Sequence, residues 1–127
     1  MQIIGHKLIK YENFNLIQTV ENILNFDNLI FEYNENFIKN AKNSGKTFSV
    51  IVRNLNEAVL ANALNAKFII IEKNNISITK EVVKLAEFYL FDSKIAVIIE
   101  NYEKDLLNAI NLRVDAVIYK NIINYII

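Results

Sequence analysis

The sequence predicts an α/β protein with a mainly parallel sheet and a helix after each strand. Short runs of β-branched and aromatic residues alternate with segments in which apolar residues recur at helical spacing. The runs are almost continuously apolar, as expected for parallel strands that are covered on both faces. Their starts lie 19 to 27 residues apart, about one strand-helix unit. Because 127 residues are a usual length for one domain, we expect residues 1–127 to form a single domain.

Five strands are predicted from these runs. They lie at 28–31, 47–52, 68–71, 95–99 and 116–119. We expect them to form a sheet of about five strands with helices on both faces, similar to flavodoxin and to receiver domains. The alternative is a half-barrel of strand-helix units that dimerises.

The repeating units extend over residues 28–121, and each strand run ends in a charged residue followed closely by Asn. The phrases are Glu32-Tyr33-Asn34, Arg53-Asn54, Glu72-Lys73-Asn74, Glu100-Asn101 and Lys120-Asn121. Asn is a favoured N-cap because its side-chain oxygen accepts a backbone N–H of the first helical turn. Each phrase therefore predicts the end of a strand and the start of a helix, most clearly for the amphipathic helix at 78–91.

The two ends of the chain are less regular. Residues 1–27 contain a possible strand at 3–9 or at 14–18, followed by a short helix at 20–24. The apolar run at 122–127 predicts either a last helix packed on the sheet or a contact surface. In the second case, Ile126 and Ile127 bind a protein partner or a second copy of the chain.

Composition argues against several functions. Fourteen basic residues balance fourteen acidic ones, so we expect no nucleic-acid partner. No apolar run approaches the roughly 20 residues that span a bilayer, and the start lacks the pattern of a signal peptide, so we expect no membrane partner and a cytoplasmic location. Without Cys and with a single His, we expect no metal site and no cofactor. Gly45-Lys46-Thr47 precedes a strand rather than a helix, which argues against a phosphate-binding loop.

One set of residues could carry chemistry. Ligands of parallel sheets and barrels bind at the carboxyl ends of the strands. Six charged residues are predicted there as ligand-binding candidates: Glu32, Arg53, Glu72, Lys73, Glu100 and Lys120. Lys73 or Lys120 is the candidate base or Schiff-base nucleophile, and Glu72 is a candidate acid/base group. Opposite charges at strand ends also form ion pairs without any function.

The order of elements from 28 to 121 resembles that of a response-regulator receiver domain. Glu72 lies where receivers carry the phosphorylated Asp, and Lys120 lies where they carry the switch Lys. Receivers also have an acidic pair after the first strand and Ser or Thr after the fourth, where this chain has Glu32-Tyr33-Asn34 and Glu100-Asn101. The resemblance therefore implies a pseudo-receiver, which is not phosphorylated in the usual way.

Residues 50–120 also resemble consecutive units of phosphate-binding (βα)8 barrels. The phrases that carry this resemblance are Asn54-Leu55-Asn56-Glu57-Ala58 and Arg113-Val114-Asp115-Ala116-Val117-Ile118. Those barrels keep Gly where this chain has Asn65 or Arg113, and they typically need about 250 residues. This resemblance therefore implies a half-barrel rather than a full one.

From these patterns we expect a non-catalytic regulatory or protein-interaction module, because signatures of metal, thiol, triad and phosphate-loop sites are missing from the sequence. The alternative is a small-molecule-binding protein or a lyase or aldolase-type enzyme that uses the charged strand ends.

Overall fold

All strands within residues 1–126, the part of the chain that the computed structural model describes, run parallel in one sheet. There are eight: β1 (Gln2–Ile4), β2 (Phe14–Leu16), β3 (Leu29–Glu32), β4 (Phe48–Ile51), β5 (Phe68–Glu72), β6 (Lys94–Ile99), β7 (Ala116–Tyr119) and β8 (Ile123–Tyr125). Their order across the sheet is β1-β7-β6-β5-β4-β3-β2-β8. The predicted α/β class with a parallel sheet is therefore confirmed.

Helices alternate with the central strands, as predicted. They are α1 (Glu35–Asn43) after β3, α2 (Leu55–Ala63) after β4, α3 (Ile76–Tyr89) after β5 and α4 (Tyr102–Leu112) after β6. Short 3-10 helices lie at Val20–Asn25 and Lys120–Ile122. Within residues 1–126, no helix has both the length and the apolar character needed to cross a bilayer.

The prediction of about five strands is wrong, because three short strands lie at the two ends of the chain. β1, β2 and β8 have three residues each, too few to produce a clear alternation. Each of the alternative N-terminal regions overlaps a strand. In the described part of the apolar C-terminal run, Ile122 ends a 3-10 helix and β8 follows, in place of the predicted last helix. Backbone pairing of β8 with β2 selects the extended form of this run.

The prediction of helices on both faces is also wrong. Core residues of all four α-helices belong to one apolar cluster, which also includes Phe31, Val50 and Val97 of the strands. The buried residues of the second cluster come from strands and from one 3-10 helix residue, Ile122. The strands from β3 to β7 follow one another in the sheet. Since crossovers between parallel strands are right-handed, a sheet built in one direction places every helix on the same face.

The sheet is curled into a half-barrel, which was the alternative fold prediction. β7 and β8 lie six strand spacings apart in the sheet order, about 29 Å in a flat sheet. Only the 3-10 helix Lys120–Ile122 joins them, and four residue steps span at most about 14 Å. The sheet must therefore curl, with the helices outside and the second cluster on the concave face. Dimerisation and the single domain over 1–127 stay predictions.

Candidate functional site

Polar side chains follow the apolar residues of the concave face at the carboxyl ends of the strands. Residues on one face of a strand alternate with a period of two. Leu16, Ile30, Ile51, Ile70, Ile98 and Ile118 contribute to the concave cluster. Two residues further along each strand are Gln18, Glu32, Arg53, Glu72, Glu100 and Lys120. The alternation therefore directs these positions towards the mouth of the half-barrel, the end at which the strands have their carboxyl termini, and all of them except Arg53 line the cavity there.

A cavity of about 690 Å³ opens at this mouth. Its aliphatic lining comes from Leu16, Ile17, Ile51, Ile98 and Ile123, and its aromatic lining from Tyr33, Phe37 and Tyr125. Its polar lining consists of Gln18, Glu32, Asn34, Glu72, Lys73, Asn74, Glu100 and Lys120. Five of the six predicted site residues thus meet in one concave space, and Arg53 is the exception.

Lys73 is held by a carboxylate that was not among the predicted site residues. Its Nζ lies 3.1 Å from Oδ2 of Asp105, which is buried in the first turn of α4. The same oxygen accepts the backbone N–H groups of Glu100 at 3.0 Å and Asn101 at 2.8 Å. These two backbone hydrogen bonds, reinforced by Lys73, hold the pKa of Asp105 below its usual value. Asp105 thereby fixes the loop that presents Glu100.

Lys120 pairs with Glu100 across the ends of β7 and β6. The distance between Lys120 Nζ and Glu100 Oε1 is 3.5 Å, and about half of each side chain is exposed. An ion pair this exposed contributes little to stability. The pair matters instead for the charge of the cavity, because the Glu100 carboxylate already balances the positive charge of Lys120.

Arg53 turns away from the cavity towards α2. Its guanidinium donates to Glu57 Oε2 at 3.2 Å, and its backbone N–H donates to Glu57 Oε1 at 2.8 Å. The Glu57 carboxylate raises the pKa of Arg53. Asn54 Oδ1 in turn accepts the N–H of Glu57 at 2.9 Å. Arg53 is therefore part of a helix start similar to a capping box and does not line the cavity.

Glu32 and Glu72 differ from the other charged residues of the mouth. Both side chains are exposed to the cavity solvent. Within residues 1–126, neither carboxylate takes part in an ion pair or in a side-chain hydrogen bond. These two carboxylates are available to a ligand.

Besides Asp105, which holds Lys73 from outside the lining, the predicted site residues did not include the polar or aromatic lining residues Gln18, Tyr33 and Tyr125. Gln18 follows β2 at the same period of two that places Glu32, so extending the alternation by one step would have found it. Tyr33 lines the cavity and donates from its hydroxyl to Glu35 Oε2 at 3.0 Å; burial and then this hydrogen bond raise its pKa. Tyr125 belongs to β8, whose position depends on the curl of the sheet and has no local signal.

No protein-family model and no curated protein sequence matches the chain. Within the described range 1–126, no group of three His, Cys, Asp or Glu residues is arranged to hold a metal ion.

Proposed function

We propose that this chain is a non-catalytic regulatory domain that binds a small polar molecule in the mouth cavity. The observation that carries the proposal is the convergence of five predicted site residues in one cavity of about 690 Å³. Small-molecule sites typically measure about 300–1,000 Å³ and combine an apolar lining with a few polar groups. The carboxyl mouth is also where barrels bind their ligands.

The charge pairing favours binding over Schiff-base chemistry. A Schiff-base lysine has to present a free amine to the carbonyl of its substrate, whereas the amine of each candidate lysine is already engaged by a carboxylate. Lys73 lies 3.1 Å from Asp105 and Lys120 lies 3.5 Å from Glu100. The lyase or aldolase-type activity is therefore the less supported of the two small-molecule hypotheses.

The protein-interaction role stays a prediction. Ile126 is partly buried against the apolar cluster that contains the core residues of the four α-helices. Its backbone N–H donates to the carbonyl of Leu16 at 3.0 Å. These contacts favour a packing role for Ile126 over the partner surface predicted from the sequence. Ile127 lies outside the described residues.

The proposal is tested by screening small polar fragments with ¹H–¹⁵N NMR spectra of the chain. We expect the amide shifts to concentrate at the residues that line the mouth cavity. Asn74→Trp introduces an indole at the cavity edge and should abolish these shifts. Asn108→Trp, the same change on the exposed surface of α4, is the control and should leave them intact. Shifts scattered over the surface, or unaffected by Asn74→Trp, would overturn the proposal.

A further inference from the structure

The charges around the mouth cavity divide into balanced pairs and an unbalanced remainder. Each of the three cations at this edge has its own carboxylate: Arg53 has Glu57 at 3.2 Å, Lys73 has Asp105 at 3.1 Å, and Lys120 has Glu100 at 3.5 Å. After these pairs are removed, Glu32 and Glu72 remain. The mouth therefore has two more carboxylates than cations, Glu72 and Glu32, and of these Glu32 is close enough to Arg53 to help raise the pKa of the guanidinium.

This charge balance disfavours the anionic ligand that cations at strand ends first suggest. An anion would have to displace a carboxylate from Lys73 or Lys120, and it would also face Glu32 and Glu72 at close range. A cation gains attraction from both free carboxylates without breaking an existing ion pair. Carboxylates that are already exposed in the free protein also need little reorganisation to accept it.

The rest of the cavity indicates that the cation is organic. Leu16 and Ile98, which are half-buried in the concave cluster, supply an aliphatic surface below the carboxylates, and this surface gains from contact with hydrocarbon rather than with a hydrated ion. Tyr33 and Tyr125 add aromatic rings to the lining, and such rings attract ammonium and guanidinium groups.

We infer that the mouth cavity binds an organic cation, a molecule in which a protonated amine or guanidinium group is attached to an apolar portion. The charged group lies beside Glu32 or Glu72, in the field of both carboxylates, and the apolar portion lies on the aliphatic surface. This inference deepens the proposed function and rests on it, since it specifies the ligand of the same cavity.

The test uses three probes of similar size and different charge: benzylammonium, benzyl alcohol and benzoate. Amide shifts of the full chain are followed by NMR as each probe is titrated. We expect benzylammonium to shift the amides around Glu32 and Glu72 and to bind about fivefold or more tightly than either other probe, as expected for attraction to exposed carboxylates. High salt should weaken the binding of benzylammonium and leave that of benzyl alcohol unchanged.

Two conservative variants show which carboxylates attract benzylammonium. Glu32→Gln and Glu72→Gln should each weaken benzylammonium binding by about three- to fivefold while leaving benzyl alcohol unchanged. Glu87→Gln removes an exposed carboxylate from α3 outside the cavity lining and should have no effect on either probe. Circular dichroism and unfolding curves check that all three variants fold.

The outcomes separate this inference from the proposed function. If benzyl alcohol or benzoate shifts the cavity residues as strongly as benzylammonium does, or if the glutamine variants bind benzylammonium unchanged, the organic-cation inference is wrong and the binding cavity stands. If benzylammonium and the wider fragment set both fail to shift cavity residues, the inference and the proposed function are both wrong.

Discussion

At the scale of single residues, Asp105 connects the fold to the mouth cavity. Its Oδ2 accepts three hydrogen bonds, from the N–H groups of Glu100 and Asn101 and from Lys73 Nζ. The side chain is only 8% exposed, so these bonds are shielded from water and are charge-assisted. One buried carboxylate therefore positions two of the charged residues of the cavity.

Replacing Asp105 by Asn should lower the free energy of unfolding by about 1–3 kcal/mol at pH 7, because charge-assisted hydrogen bonds to a buried group are lost. Urea denaturation measures this change. Asp92→Asn serves as the control, because Asp92 is exposed and its carboxylate makes no hydrogen bond within residues 1–126. Equal stability of the two variants would contradict the role assigned to Asp105.

The wild-type protein and Asp105→Asn should also differ in how their free energy of unfolding depends on pH. The folded-state pKa of Asp105 is lowered, first by the N–H groups of Asn101 and Glu100 and then by Lys73. Its stabilisation is therefore fully present above the unfolded pKa of about 3.9 and is lost as the pH falls through the folded pKa. The stability gap between wild type and Asp105→Asn should be constant from neutral pH to about pH 5 and shrink in more acidic urea titrations. A gap that persists unchanged in acid would show that the charge of Asp105 is not responsible.

The importance of Asp105 could be predicted only in part. An acidic residue in the first turn of α4 is an ordinary feature of a helix start, and the sequence shows it. The contact with Lys73 joins positions 32 residues apart in the chain and requires β5 and β6 to be neighbours. Local patterns carry no signal for such a pair, whereas Glu100 and Lys120 were found because both directly end a strand run.

At the scale of elements, the phrase of charge and Asn at the strand ends proves to be a capping device. Asn34 Oδ1 accepts the N–H of Phe37 at 3.1 Å, and Asn101 Oδ1 accepts the N–H of Lys104 at 3.0 Å. Asn54 caps α2 in the same way. The third and fifth phrases differ. Asn121 lies inside the 3-10 helix Lys120–Ile122, which lacks a side-chain cap bond. The N-cap of α3 is Asn75 rather than Asn74, also without a side-chain cap bond.

This difference provides a matched set of Asn-to-Ala substitutions. Asn34→Ala, Asn54→Ala and Asn101→Ala should each lower the free energy of unfolding by about 0.5–2 kcal/mol, because each removes a capping hydrogen bond. Asn75→Ala should cost clearly less, since its side chain makes no such bond. Chemical denaturation of the four variants measures the contrast. Four equal losses would mean that Asn contributes here through propensity rather than through capping.

Sequence patterns located the elements better than their arrangement. β7 was predicted with its observed bounds, and both ends of every other central strand were predicted to within one residue. Each of these strands is a short apolar run with polar residues on either side. β1, β2 and β8 are short and acquire their extended form from pairing partners far away in the chain. The face that the helices occupy also depends on strand order, which no single unit encodes.

At the scale of the whole molecule, β8 gives the half-barrel its shape. It pairs with β2 at one end of the sheet although the chain enters it directly from β7 near the other end. The backbone thereby connects distant strands across the mouth, and Lys120, Ile123 and Tyr125 from this segment line the cavity. The curl of the sheet and the lining of the cavity consequently depend on the same segment.

Ile123 is the side chain through which this closure can be tested. It is buried at 7% exposure in the concave cluster and pairs with Phe14 of β2. Ile123→Ala should reduce the free energy of unfolding by about 2–5 kcal/mol, since it leaves a hole in a packed cluster. If β8 maintains the curl of the sheet, this substitution should also disturb the cavity. The amide of Ile126, bonded to the Leu16 carbonyl at 3.0 Å, should then exchange faster with solvent, and benzylammonium should bind more weakly.

Asn124→Ala is the control for that substitution, because Asn124 is an exposed residue of the same strand. Within residues 1–126 its side chain makes a single long hydrogen bond, to Asn15 at 3.3 Å. It should change stability by about 0.5 kcal/mol or less and leave the exchange of the Ile126 amide as it is. Urea denaturation and NMR-detected hydrogen exchange measure both effects. A large loss of stability in Ile123→Ala with normal exchange at Ile126 would mean that the concave cluster, and not β8 pairing, depends on this residue. In that case the curl of the sheet would be set by the packing of its central strands.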